Sequence, residues 1–244
     1  MPDLYLIYAV IAACAVVQSL FGVGILVFGT PMLLLLGFDF VTSLSYLIPA
    51  SFAVSLLQVF ASDARKTSIS IYLYTLCLPA IALGLWLTTV FHFTSWINSA
   101  IGVTLLGSAG LRLYASRENA KKIDLNHALP AYHFVMGLLH GSTNLGGALL
   151  AILAASTKKE KETFRYTVAY YYLMFTIVQF GVLFLEFGPQ TMLSYNLLTG
   201  VFSALIYLTI GNPMFIKARV GSYQLALTTF MFAFGVLLIF KPYY

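Results

Sequence analysis

The chain has 244 residues, 60% of them hydrophobic and 9% charged, with a mean hydropathy of +0.90. Soluble domains carry about 25% charged residues, so a water-facing domain is excluded and an all-α polytopic membrane protein is expected. The net charge of +5 does not imply nucleic acid, because the basic residues lie in short loops between apolar runs, where membrane topology accounts for them.

In chain order, residues 4–37 form an apolar stretch too long for one upright crossing, interrupted by "FGVG" at Phe21–Gly24. Within it, "IAAC" at Ile11–Cys14 resembles a lipoprotein cleavage box. No Lys or Arg precedes it, so a membrane helix is the expected reading. Ordinary crossings are predicted at 41–61, 69–91 and 95–115, each rising about 30 Å at about 1.5 Å per residue. A hydrophilic linker follows at 116–127. Residues 128–156 form a second odd segment, broken at His140–Gly147 by "HGSTNLGG" into halves 128–139 and 145–156. Three more crossings are predicted at 164–185, 191–210 and 222–240. Pro49 and Pro79 are tolerable inside a membrane bundle. Cys14 and Cys77 lie in separate apolar runs and form no disulfide framework.

Charge chooses the path of the second odd segment. If it crossed once, the Lys and Arg residues would divide almost evenly between the two sides. If it enters and returns, every one except Lys241 falls on one side, including Arg65, Lys121, Lys158 and Arg165. The excess of Lys and Arg in cytoplasmic loops selects the hairpin. A matching hairpin at 4–37 places both termini outside an inner or plasma membrane. Residues 1–115 and 128–244 then become inverted repeats, each a broken-helix hairpin plus three crossings, with eight hydrophobic segments and up to ten helices. Breaks at matching places in such repeats converge on one site near the midplane.

No acidic residue is expected near the centre of a crossing, which disfavours a cation site. A half-helix starting inside the membrane presents unpaired N–H groups and the positive end of its dipole. Gly22 and Gly24 precede one such start; His140, Gly141, Ser142, Thr143, Asn144, Gly146 and Gly147 surround the other. Glycine lets an oxyanion approach the backbone, and Ser, Thr and Asn add donors. The competing roles are capping by Ser142 or Asn144 and close helix packing by small residues. As an imidazolium His140 would attract the anion or carry a coupling proton; as a neutral ring it would cap a helix end. Gln18, Ser19, Pro31, Gln58, Tyr171 and Gln179 are candidate pathway residues, with interhelical hydrogen bonds as the alternative for the glutamines. His133 reads as structural. No metal-ligand spacing is present and no cofactor is implied.

At "FGVGILVFGTPMLLLLG" (Phe21–Gly37) and "GLLHGSTNLGGALLAI" (Gly137–Ile152) the sequence resembles the sulfite exporter TauE/SafE family, also called toluene sulfonate uptake permeases. Here Gly24 is followed by Ile25, where family members often carry further glycine. The resemblance implies a membrane transporter of sulfite, sulfonates or related organic anions. Its partners would be a small anion, the lipid bilayer and a coupling ion, proton or sodium, since no Walker-type phosphate loop is present. The sequence carries no signal for oligomeric state. A gated anion channel is the alternative. An intramembrane serine hydrolase using Ser142 and His140 is a lesser one, lacking both a Gly-x-Ser-x-Gly turn and an orienting carboxylate.

Overall fold

A computed structural model describes residues 2–91, 94–115, 128–157, 160–190, 196–217 and 223–240. The linker at 116–127, Lys158, Lys159 and Lys241 lie outside the described residues. Those described are helical, without strands, as expected of an all-α polytopic membrane protein. Four helices are long and apolar enough to cross a membrane.

The first odd segment is two helices, α1 (Pro2–Phe21) and α2 (Ile25–Leu35). The twenty residues of α1 rise about 30 Å and the eleven of α2 about 16 Å. Gly22, at φ 74°, makes the break, a backbone conformation open to glycine at no steric cost. Helix α2 is buried on nearly every face, from Ile25 through Pro31 and at Leu33 and Leu34, and so lies inside the bundle rather than against lipid. Gly37, at φ 99°, ends it: the Gly37 and Phe38 N–H groups return to the Leu34 and Leu33 carbonyls, closing off the last turn.

Helix α3 (Phe40–Ala61) begins where Asp39 accepts a hydrogen bond from the Thr42 N–H at 2.9 Å, a side-chain cap. Helix α4 (Leu73–Val90) opens with a π-helical turn at Leu73–Cys77, and α5 spans Thr94–Ala115. The second half comprises α6 (Leu129–Thr143), α7 (Gly147–Thr157), α8 (Lys161–Phe187), α9 (Leu197–Lys217) and α10 (Tyr223–Phe240). Helix α9 carries its own π-helical turn at Tyr207–Gly211.

The break in the second segment is shorter than the sequence suggested. Helix α6 runs to Thr143, so His140, Gly141, Ser142 and Thr143 are helical and only Asn144–Gly146 are not. Two local facts set how far the helix runs and where it stops. The Ser142 and Thr143 hydroxyls donate to the Leu138 and Leu139 carbonyls within their own helix, a pattern helices accommodate. Asn144 then takes the left-handed conformation, φ 64°, which asparagine tolerates better than most residues.

The halves interlock. Helix α3 packs on α8, α4 on α6, α9 on α1 and α3, and α5 on α10, while α2 and α7 fill the interior. The α4–α6 crossing depends on glycine: a Cβ on Gly141 would run into the Ile81 carbonyl, and one on Gly84 would stand 2.6 Å from the Leu138 carbonyl. Small residues let membrane helices approach closely. Gly141→Val is expected to force α4 and α6 apart, costing about 3 kcal/mol, read as a lowered unfolding midpoint in detergent.

Candidate functional site

The two breaks share one local architecture. A single separation along the chain relates Gly22 to Asn144, both at positive φ, Gly24 to Gly146, Gln18 to His140 and Cys14 to Met136. A Cβ on Gly24 would stand 2.6 Å from the Cys14 carbonyl and would also crowd Gln18; one on Gly146 would stand 2.7 Å from the Met136 carbonyl and 2.5 Å from the His140 Cβ. Each half-helix therefore turns back tightly on the helix before it. A separation one residue shorter relates Ser51, Ser55 and Gln58 on α3 to Tyr172, Thr176 and Gln179 on α8, and all of these except Thr176, whose hydroxyl bonds within α8, reach the breaks.

In the first half-site, Gln18 spans the gap. Its Oε1 accepts from the Ile25 N–H at 3.0 Å, capping α2. Its Nε2 donates to Ser55 Oγ at 3.1 Å and reaches the Ser51 hydroxyl and carbonyl at 3.4 Å. Gln58 Nε2 donates to the Gln18 carbonyl at 2.9 Å. In the second half-site, Gln179 Nε2 donates to Asn144 Oδ1 at 3.0 Å, and Asn144 Nδ2 donates to Thr30 Oγ1 on α2 at 2.7 Å. That relay ties the second break to the first hairpin.

His140 occupies the position equivalent to Gln18 but does not take over its bonding. Its ring packs 4.5 Å, centroid to centroid, from Phe175 and 5.9 Å from Tyr172. Gln179 lies beside it, yet neither ring nitrogen makes a hydrogen bond of regular geometry. The Oε1 atoms of Gln58 and Gln179 are likewise buried without a partner. Buried polar groups are nearly always hydrogen-bonded, so these three groups are exceptions located at the two breaks.

The backbone adds donors. Of the first four N–H groups of α2, Ile25 reaches Gln18 and Phe28 reaches the Gly24 carbonyl. Leu26 and Val27 have no partner among the described residues. In α7, Ala148 and Leu150 reach the Leu145 and Gly146 carbonyls, and Gly147 and Leu149 have none among them. The two starts meet, since a Cβ on Gly147 would stand 2.7 Å from the Val27 side chain and collide with the Tyr172 hydroxyl. Gln18, Gln58, His140, Asn144 and Gln179 are all 0% exposed, so their side chains are enclosed within the bundle.

Other expected residues lie elsewhere or are engaged. Gly141 serves the α4 crossing, and the Ser142 and Thr143 hydroxyls are bonded within α6. No hydrogen bond joins Ser142 to His140 among the described residues. The Ser19 hydroxyl donates to the Ala15 carbonyl at 2.6 Å and abuts Gly211 on α9. Pro31 is buried within α2. The Tyr171 hydroxyl bonds His133 Nε2 at 3.0 Å while His133 Nδ1 meets the Leu129 carbonyl at 2.8 Å, so this histidine, unlike His140, has both nitrogens engaged. Sequence reading missed Thr30, Ser51, Ser55 and Tyr172. A signal was present: in both crossings polar residues stand seven and three positions before the glutamine, on one helical face.

No curated protein and no solved structure matches the chain. The family model for sulfite exporter TauE/SafE matches residues 6–239, nearly the whole chain, including both breaks. The chain thus belongs to the sulfite exporter TauE/SafE family, a family of membrane transporters.

Proposed function

We propose that the chain is a secondary transporter of small sulfur-containing oxyanions, sulfite or sulfonates, held between the two breaks and exposed in turn to either side of a cell membrane. The observation that carries this reading is the meeting of two half-helix starts, each with unpaired N–H groups, beside a fully buried His140 whose ring nitrogens make no hydrogen bond of regular geometry. Half-helix starts favour negative charge. Each hydrogen bond to a charged group contributes about 1.5–3 kcal/mol, so a handful offset the desolvation of one oxyanion.

His140 supplies the coupling. As an imidazolium it donates one N–H to the anion and the other to Gln179 Oε1, so proton and anion bind together and leave together. Its counterpart in the first half is Gln18, which has no titratable group and is engaged in capping α2. The enclosure of these side chains supports alternating access, in which the hairpin of one half and the packed crossings of the other move as bodies. The inverted repeats 1–115 and 128–244, with both termini outside, supply that symmetry.

The test is flux of sulfite, methanesulfonate and small carboxylates into proteoliposomes under imposed proton and sodium gradients. Sulfite flux is expected to be saturable and stimulated by the proton gradient. In His140→Gln it is expected to fall about 10-fold and lose that stimulation. Unchanged proton stimulation in the variant overturns the coupling role, and unitary conductance in place of saturable counterflow overturns the carrier. Labelling of a cysteine at position 159 from the outside overturns the topology.

A further inference from the structure

The site between the breaks contains no fixed positive charge, but the fold buries one nearby. Arg165, in the second turn of α8, is 3% exposed. Its guanidinium carbon lies 3.4 Å above the Phe215 ring centroid, and one terminal nitrogen donates to Asn212 Oδ1 at 3.3 Å. Its Nε is buried without a partner. Glu162, in the first turn, lies near enough to act on it electrostatically, yet no carboxylate bonds the guanidinium among the described residues.

The surroundings gather donors on this group. Lys161 Nζ stands 3.9 Å above the same Phe215 ring and donates to the Phe215 carbonyl. The Tyr207 hydroxyl meets Asn212 Oδ1 at 3.4 Å. Tyr207 opens the π-helical turn of α9 and Asn212 follows it directly. The cluster also touches the first break: a Cβ on Gly22 would stand 3.1 Å from Val168 and 3.5 Å from the Arg165 carbonyl, and Gly211 abuts Ser19. The second break, at Gln179, lies about 20 Å further along α8.

A guanidinium buried with one neutral acceptor is an incomplete arrangement, because buried charges are paired. Its planar fork suits an oxyanion, taken through two parallel hydrogen bonds. We infer that Arg165, with Lys161 and Tyr207, forms a second oxyanion site on the side of the membrane where the basic loops gather, a stop for the transported anion one helical turn short of the first break. This rests on the transport reading above.

The experiment uses the full chain in phosphatidylcholine, with Arg165→Met, which keeps the aliphatic bulk, and Arg165→Lys, which keeps charge without the fork. Sulfite KM is measured separately from each side of oriented proteoliposomes, and unfolding midpoints are measured with and without sulfite. In Arg165→Met, KM from the basic-loop side is expected to rise about 10-fold with the opposite side unchanged, and Arg165→Lys to fall between. Without sulfite, the Arg165→Met midpoint is expected to equal or exceed that of the wild type, because an unpaired buried charge is gone. A lowered midpoint with unchanged KM on both sides assigns Arg165 a packing role and overturns the site. A KM effect confined to bilayers containing phosphatidylglycerol assigns it to a lipid phosphate and overturns the transported anion as occupant. A wild type that moves no oxyanion ends the transport reading; the Arg165 site then stands if sulfite raises the wild-type midpoint but not that of Arg165→Met, and falls otherwise.

Discussion

Asn144→Asp is expected to abolish oxyanion flux, by 100-fold or more, and to lower the unfolding midpoint, because it buries a carboxylate without a cationic partner. The substitution conserves shape, and aspartate tolerates the left-handed conformation nearly as well as asparagine. What changes is charge. The Asn144 side chain is 0% exposed and sits where the second half-helix begins, bonded to Gln179 and Thr30. A carboxylate there would occupy the electropositive start itself and repel a bound anion in a medium of low dielectric, where like charges at close range cost several kcal/mol. Asn144→Gly provides the companion measurement, keeping the φ of 64° but losing the relay. Its flux is expected to fall about 10-fold, well short of the aspartate. Retention of sulfite flux in Asn144→Asp would contradict an anion site between the breaks, since a cation site would gain from the same change.

Gly147→Ala is the second large effect. The added methyl would fall on the Tyr172 hydroxyl and stand 2.7 Å from the Val27 side chain. Both neighbours are buried, with Tyr172 at 0% and Val27 at 1% exposure, so neither moves without repacking α2 or α8. Overpacking of this kind costs about 1–3 kcal/mol, and it strikes where the two half-helix starts meet. Flux is expected to fall by 100-fold or more. Tyr172→Phe in the same chain removes the colliding oxygen and is expected to recover part of that flux. Gly181→Ala is the control: nothing lies within 4 Å of the added methyl, so flux and unfolding midpoint are expected to stay at wild-type values. Full activity in Gly147→Ala would mean that the two starts do not act as one site.

These expectations draw on two kinds of information. The crossings at 41–61, 69–91, 95–115, 164–185 and 222–240 were legible as apolar runs and lie within a few residues of the helices found. The last turn of α9 was not: Lys217 stands seven residues beyond the predicted end at 210, because the π-helical turn at Tyr207–Gly211 lets the helix continue. Arg165 was read as a loop cation. It was counted with the cations of the basic side although the predicted crossing at 164–185 contains it; α8 starts a turn earlier, at Lys161, and carries the guanidinium into the bundle. At the second break, the small polar run from His140 to Gly147 looked like unwound backbone throughout. Ser142 and Thr143 instead satisfied their hydroxyls within the helix, and Gly141 went to the α4 crossing.

By itself the sequence determined that the chain is helical, membrane-embedded and interrupted twice, because hydrophobic length and the placement of Lys and Arg are properties of a line of residues. The tertiary structure decided which atoms are left for a ligand. Gln18 and His140 stand at equivalent places, yet one is fully bonded and the other makes no hydrogen bond of regular geometry. That difference arises from Ser51, Ser55, Tyr172 and Phe175, which reach the breaks from other helices. Whether a buried polar atom is satisfied depends on neighbours brought from distant parts of the chain, and no local pattern of residues encodes that.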